Sequence, residues 1–285
     1  MSGYTEKFNT EFNLNFHSPR KDTCQKCDLL KVKIEASSNE EEKLHFRQQH
    51  DLHLKSAEQA RKCLKDDQKK AVENPEEYYA FSFDLQKALP YLKLSVSIAY
   101  YKRNMYVYNL GFHNFHNKDV SMYVWDETLA SRGSQEIASC LIKHITKVTT
   151  QKHVIAYSDA CSGQNRNIKV ALTWMKIVQS SDKAIETIDH KFLVSGHFFL
   201  PNNRDFGLIE LDIKKTNYLY ISEHYYKLIE LCRKKPIFCR MNDTGRFFFN
   251  KIIKRISYKK ITKYRGRTCL LVTNTVDAIS KNCPI

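Results

Sequence analysis

The sequence is poor in the features that mark membrane proteins, secreted scaffolds and low-complexity chains. No apolar run approaches the length of a membrane span, and residues 1–12 are polar and mixed in charge, unlike a secretory signal. A membrane role is therefore excluded, and an intracellular protein is expected. The nine cysteines are an odd number, scattered without a dense framework, so reduced thiols are expected rather than disulfides. Eight glycines and six prolines among 285 residues leave no low-complexity tract, and no internal repeat is present.

Acidic residues are the other shortage. Asp and Glu number 31 against 46 Lys and Arg, a formal net charge of +15. The imbalance is local, because residues 211–267 carry 16 Lys or Arg and only 4 Asp or Glu. Such a surface attracts polyanions, and DNA is the expected partner; a merely solvated basic face is the alternative. What remains is apolar enough to fold, at 42% hydrophobic and 12% aromatic residues, and long enough for one large domain with an appendage.

Residues 40–72, rich in Glu, Lys, Gln, Ala and Leu, read as one long helix or two short ones, with a sparse stripe of Leu44, Leu52, Ala57, Ala60 and Leu64. Asn74 and Pro75 break it. Strands are then expected over 79–84, 95–110 and 121–125, a helix over 135–148 capped by Ser134, a strand over 153–157, a helix over 167–179 and a strand over 184–194. Three strands followed by helix, strand, helix and strand is the order of an antiparallel meander extended by parallel crossovers. The expectation is an α/β fold, a ribonuclease-H-like mixed sheet flanked by helices. Three regions follow: an N-terminal helical segment (1–77), the ribonuclease-H-like core (78–212) and a basic α+β C-terminal extension (213–285).

Two acids stand at strand ends. Asp84 follows Phe81-Ser-Phe83, and Asp159 follows Val154-Ile-Ala-Tyr-Ser158. In α/β sheets, functional groups gather at the carboxyl edge of the strands. If these strands are neighbours, the two carboxylates converge and can hold Mg2+ or Mn2+ for phosphodiester chemistry; the alternative is that each Asp caps a turn. After Asp159 come seven small or amide side chains. This segment can offer backbone N–H groups, Gln164, Asn165 and Arg166 to an anionic ligand at a helix N-terminus.

An N-terminal cluster points to another metal. Cys24 and Cys27 supply two thiols from one tight turn, and His50 and His53, at i and i+3 of a helix, project from one face. The set suits tetrahedral Zn2+, with His45 a competing ligand, and a zinc would support a helical segment with few large apolar residues. The alternative is a turn with two buried thiols. In the C-terminal region aromatics interleave with cations, and Lys254, Arg255, Lys259 and Lys260 are expected to contact nucleic acid.

Four segments carry a family resemblance: Phe83-Asp-Leu-Gln-Lys-Ala-Leu-Pro90; Tyr123-Val-Trp-Asp-Glu127 with Arg132-Gly-Ser134; Ser158-Asp-Ala-Cys-Ser-Gly-Gln-Asn-Arg-Asn167; and Gly196-His197 with Leu200-Pro201 and Asp205-Phe-Gly-Leu-Ile-Glu210. Together they resemble a group of transposon-derived animal proteins similar to DDE-type transposases, with a ribonuclease-H-like core. The resemblance implies Asp84 as first acid and Asp159 as second. Where the family has its third acid this chain has Asn203, so Asp205 or Glu210 is the expected substitute. Arg132 and Arg166 are candidate phosphate contacts or, equally, surface arginines, and His197 is a contact to phosphate or metal-bound water or else a turn histidine; a nuclear location and a homodimer or higher oligomer on DNA are also expected. Loss of one acid leaves open a non-catalytic, domesticated DNA-binding or chromatin-associated protein. The cysteine and histidine cluster leaves open a zinc-dependent scaffold.

Overall fold

A computed structural model describes residues 23–91, 103–148, 150–180, 185–197, 200–233, 237–241 and 269–273. The chain forms two compact units, Met1–Lys55 and Ser56–Ile285. The division falls inside a single helix.

In the first unit, helix α1 (Gln25–Ala36) precedes the start of α2 (Glu40–Glu73), one continuous helix of 34 residues. Glu40, Glu41 and Glu42 occupy the first turn of α2, where acids offset the positive end of the helix dipole, and no Gly or Pro interrupts it before Pro75. Leu44 and Leu52 of the expected stripe are exposed, at 56% and 64%. The buried side chains are Ala57, Leu64, Asp67 and Ala71. Their spacing of seven, three and four follows one helical face.

The second unit is built on an eight-stranded sheet. Its strands are β1 (Tyr78–Leu85), β2 (Leu89–Tyr91), β3 (Met105–Asn114), β4 (Val120–Asp126), β5 (His153–Ser158), β6 (Thr187–Phe192), β7 (Ile237–Arg240) and β8 (Cys269–Thr273), in the order β7-β4-β3-β1-β5-β6-β8 with β2 paired to β3. The pairs β1–β3 and β3–β4 are antiparallel; β1–β5 and β5–β6 are parallel. The expected element order is present, with shifts. The strand expected over 95–110 is β3, Met105–Asn114, with residues 95–102 outside the described residues, and the short β2 before it is not among the expected strands. Two short strands, β7 and β8, pair with β4 and β6 and bring the C-terminal region to both edges of the same sheet.

Helices cover both faces, which is why every residue of β4 is buried. Against one face lie α3 (Ser134–Val148) and α4 (Ile168–Val178), packed on Phe81, Phe83, Phe112, Trp125, Val154 and Ala156. Against the other lie the second half of α2, contributing Leu64 and Ala71, and the pair α5 (Pro201–Lys215) and α6 (Ser222–Leu231). Helix α3 is closed not by a Ser134 hydroxyl but by Glu136, whose carboxylate accepts from Gly133 N–H at 2.9 Å.

Candidate functional site

The two strands carrying the acids are neighbours at the centre of the sheet. Register pairs Ser82 with Tyr157, so two residues on, Asp84 stands beside Asp159 across strands about 5 Å apart. Alternation puts both on the α2–α5 face, since Ala80, Ile155 and Tyr157 pack there. Both acids are half-buried. Asp84 accepts a hydrogen bond from Leu85 N–H at 2.9 Å. Burial, reinforced by the like charge of Asp159, pushes its carboxyl up to about 7. No ion pair reaches either acid among the described residues.

Glycine makes the crowding at Asp84 possible. Gly111 is its partner across the β1–β3 ladder. A Cβ at Gly111 would lie 2.8 Å from Cε1 of Phe206, so the bare backbone lets this α5 ring lie against the strand. The start of α5 is fastened beside it: Ser82 Oγ donates to Asn202 Oδ1 at 2.6 Å, and Asn202 Nδ2 donates to the Gly111 carbonyl at 2.8 Å.

The segment after Asp159 is organised differently from the expectation of an anion cradle. Its N–H groups at Gln164, Asn165 and Arg166 all turn inward onto the Cys161 carbonyl, at 3.2, 2.9 and 2.9 Å. The start of α4 is capped by Asn167, which accepts from Lys169 N–H at 3.0 Å. These donors are consumed by the turn and are not presented to a ligand. The turn instead serves Asp159, whose Oδ1 accepts from Asn165 Nδ2 and, at 3.3 Å, from Cys161 N–H. Asn165 is 1% exposed, and its buried Oδ1 has no hydrogen-bond partner among the described residues.

The other expected site residues differ in their surroundings. Asp205 is 2% exposed and faces His113 Nδ1 at 2.8 Å and an Arg233 nitrogen at 3.0 Å, so its carboxylate is engaged in a structural ion pair. Asn203 and Glu210 are exposed on α5. Arg132 is exposed in the turn before α3; Gln164 and Arg166 are half-buried; His197 is half-buried in the turn after β6, beside Gly196 at φ 75°. Lys254, Arg255, Lys259 and Lys260 lie outside the described residues.

In the first unit, the ligand atoms of Cys24, Cys27 and His53 lie within 4.8 Å of one another, with Cys24 Sγ 3.1 Å from His53 Nε2. Both thiols are buried, and burial, with Cys24 alongside, pushes the Cys27 thiol up. Two sulfurs and an imidazole are the donor chemistry of Zn2+. His50 does not join them: its buried Nε2 has no hydrogen bond among the described residues. His45 is exposed and pairs with Gln49 at 2.8 Å. Both histidines at i and i+3 share a face, but only the later one reaches the Cys-x2-Cys turn. Helix phase relative to the turn, not the shared face, decides which of them does.

No protein-family model and no curated protein matches the chain. Among solved structures it is similar to a chain in a cryo-EM structure of the simian T-cell lymphotropic virus intasome in complex with PP2A regulatory subunit B56 gamma, at 10% identity and a TM-score of 0.33. The likeness covers 67% of this chain and 60% of that one, so it spans less than two thirds of the neighbour's length. No described helix is long and apolar enough to cross a membrane.

Proposed function

We propose that this chain is a transposase-derived, DNA-binding protein whose sheet is a ribonuclease-H-like, DDE-type core for divalent-metal phosphodiester cleavage or strand transfer. The observation that carries it is the side-by-side placing of Asp84 and Asp159 at the ends of neighbouring parallel strands, without a cationic partner among the described residues. The strand order, with an antiparallel meander through β1, β3 and β4 and parallel β5 and β6 on the other side of β1, supports the ribonuclease-H-like reading.

The residues fit a hard cation such as Mg2+ or Mn2+. Two carboxylates meet in a partly buried place, and among the described residues neither has an ion pair and the nearby Asn165 Oδ1 has no hydrogen-bond partner. When bound, such ions supply activation of the attacking oxygen and charge neutralisation at the leaving one. Asp84 and Asp159 hold the site, and the Asn165 and Cys161 donors orient Asp159. Glu210 is the better candidate for third acid. At about 100° per residue along a helix, Phe206 and Glu210 fall on one flank of α5 and Asp205 on the other. The Asp205 flank meets His113, opposite Ser82, whereas Phe206 lies on Gly111, opposite Asp84. Cys24, Cys27 and His53 are proposed to hold a structural zinc, and the basic C-terminal region to grip DNA in the nucleus.

The test is nicking of supercoiled DNA in Mn2+ by the unvaried protein, Asp159→Ala and Glu210→Ala. Activity lost to background in both variants is expected; equal nicking by all three rejects the enzyme reading. A second reading, a DNA-binding protein that keeps the fold without the chemistry, is favoured by the exposed amide at Asn203 and the engaged Asp205. Salt-dependent DNA binding that survives Asp84→Ala, with no nicking by any form, is its signature.

A further inference from the structure

Behind Asp159, on the α3–α4 face of the sheet, lies a row of buried polar groups to which the proposed chemistry gives no task. Trp174 of α4, His190 of β6 and Ser158 of β5 are 0%, 1% and 0% exposed. Trp174 Nε1–H donates to His190 Nδ1 at 3.1 Å. His190 Nε2 lies 2.9 Å from Ser158 Oγ, and Ser158 Oγ donates to the backbone carbonyl of Asp159 at 2.9 Å.

Only one assignment of protons satisfies all three contacts. An indole N–H can only donate, so Nδ1 of His190 accepts. A neutral imidazole then carries its proton on Nε2, which donates to Ser158 Oγ and leaves the hydroxyl proton for the Asp159 carbonyl. Burial holds the ring neutral by driving its pKa down to about 3. The chain therefore runs one way, from α4 through β6 and β5 to the peptide that follows Asp159.

We infer that Trp174, His190 and Ser158 are positioning residues that fix the Asp159–Ala160 peptide and so aim the Asp159 carboxylate at Asp84 and a divalent cation. The cation half of this inference rests on the function proposed above; the hydrogen-bond chain does not. The geometry assigns His190 a role by direction rather than by charge. Its neighbours Phe83 and Phe192, with ring centroids at 5.4 and 4.2 Å, would pack equally well on either tautomer. Packing alone therefore does not select Nε2–H, whereas the Trp174 donor does.

The test uses the full 285-residue chain, isotope-labelled, with and without Mn2+. Two-bond nitrogen–proton correlations of His190 are expected to show Nε2–H in the unvaried protein. Trp174→Phe removes the donor while keeping most of the ring, and Ser158→Ala removes the last link. Both are expected to shift the Ala160 amide resonance, which belongs to the peptide of the Asp159 carbonyl. Both are also expected to weaken Mn2+ binding by about 10-fold, the usual scale for outer partners of a ligand. Thermal midpoints recorded alongside separate this from unfolding. An Nδ1–H tautomer, or an unmoved Ala160 resonance in either variant, overturns the chain. Unchanged Mn2+ affinity with a shifted Ala160 resonance overturns the positioning role. If Asp159→Asn binds Mn2+ as tightly as the unvaried protein, the cation reading falls instead, and the ring and amide signals alone decide the chain.

Discussion

Among the aspartates on the α2–α5 face of the sheet, Asp67, Asp205, Asp84 and Asp159 divide by what each one meets. Asp67 and Asp205 are the more deeply buried, at 3% and 2% exposure, yet each has cationic company. Lys191 Nζ lies 2.6 Å from Asp67, which also accepts from the Tyr157 hydroxyl, and Arg233 and His113 hold Asp205. These two acids tie α2 and α5 to the strands beneath. Asp84 and Asp159, nearer to water, meet each other. Burying like charges together opposes folding, whereas a matched ion pair at least offsets its own desolvation. The difference separates acids that serve the fold from acids whose placement the fold alone does not explain. Cys24, Cys27 and His53 likewise gather metal-ligating atoms, within 4.8 Å of one another.

The largest effect expected from this contrast is at the cysteine cluster. The purified protein should carry one zinc, and Cys24→Ser and His53→Ala should lose it while His50→Ala keeps it. Structural zinc contributes apparent energies on the order of 10 kcal/mol in small domains, so chelation should melt the helical signal of the first unit. Metal analysis and circular dichroism check both; retention of zinc by His53→Ala would reject the site. Next come the engaged acids. Asp67→Ala and Asp205→Ala each leave a cation facing an empty place, and urea unfolding should show losses of about 3 kcal/mol. A loss under about 0.5 kcal/mol, the ordinary surface value, would erase the distinction between the two pairs.

Asp84 titrates near 7 in the folded protein, above the ordinary carboxylate value of 3.8. A carboxyl raised by folding binds its proton more tightly in the native state, so its contribution is fully present below pH ~4 and is lost as pH rises through about 7. Asp84→Asn should therefore be more stable than the unvaried protein at pH 8, by a few kcal/mol, with the gain vanishing towards pH 4. Adding Mn2+ should reverse the order at pH 8, because the cation favours the ionised pair. A pH-independent difference between the two proteins would mean that Asp84 is not so perturbed.

Much of this arrangement was legible in the sequence, for identifiable reasons. An apolar run ending in an acid, as at Val154 to Asp159, betrays both the strand and the edge it ends on. What escaped depended on contacts between distant segments. Asp67 sits in a helix segment dense with charges, where nothing local distinguishes it from Asp66. Strands β7 and β8, four and five residues long, lack room for a clear alternation. The choice of His53 over His50, and the opposite flanks taken by Asp205 and Glu210, turn on helix phase against a partner. The donors after Asp159 are plain in the sequence, but whether they face a ligand or the Cys161 carbonyl is set by the turn itself.

The smallest effect is expected at Gly111, and it probes why Asp84 differs from its engaged counterparts. Gly111→Ala puts a methyl group 2.8 Å from Cε1 of Phe206 and 3.3 Å from the Met122 sulfur. An aromatic ring cannot absorb this by bending, so it must tilt or α5 must lift, at about 1 kcal/mol for a modest overpacking. Either movement opens the strand opposite Asp84 to water and relieves the desolvation that raises its carboxyl. The variant should thus lose stability at pH 4, where Asp84 is protonated in both proteins, and recover part of it by pH 8. The Asp84 carboxyl resonance should titrate at lower pH in the variant. If stability falls equally at both pH values and the titration is unmoved, the Phe206 ring is packing and nothing more, and the perturbation of Asp84 comes from Asp159 rather than from the helix beside it.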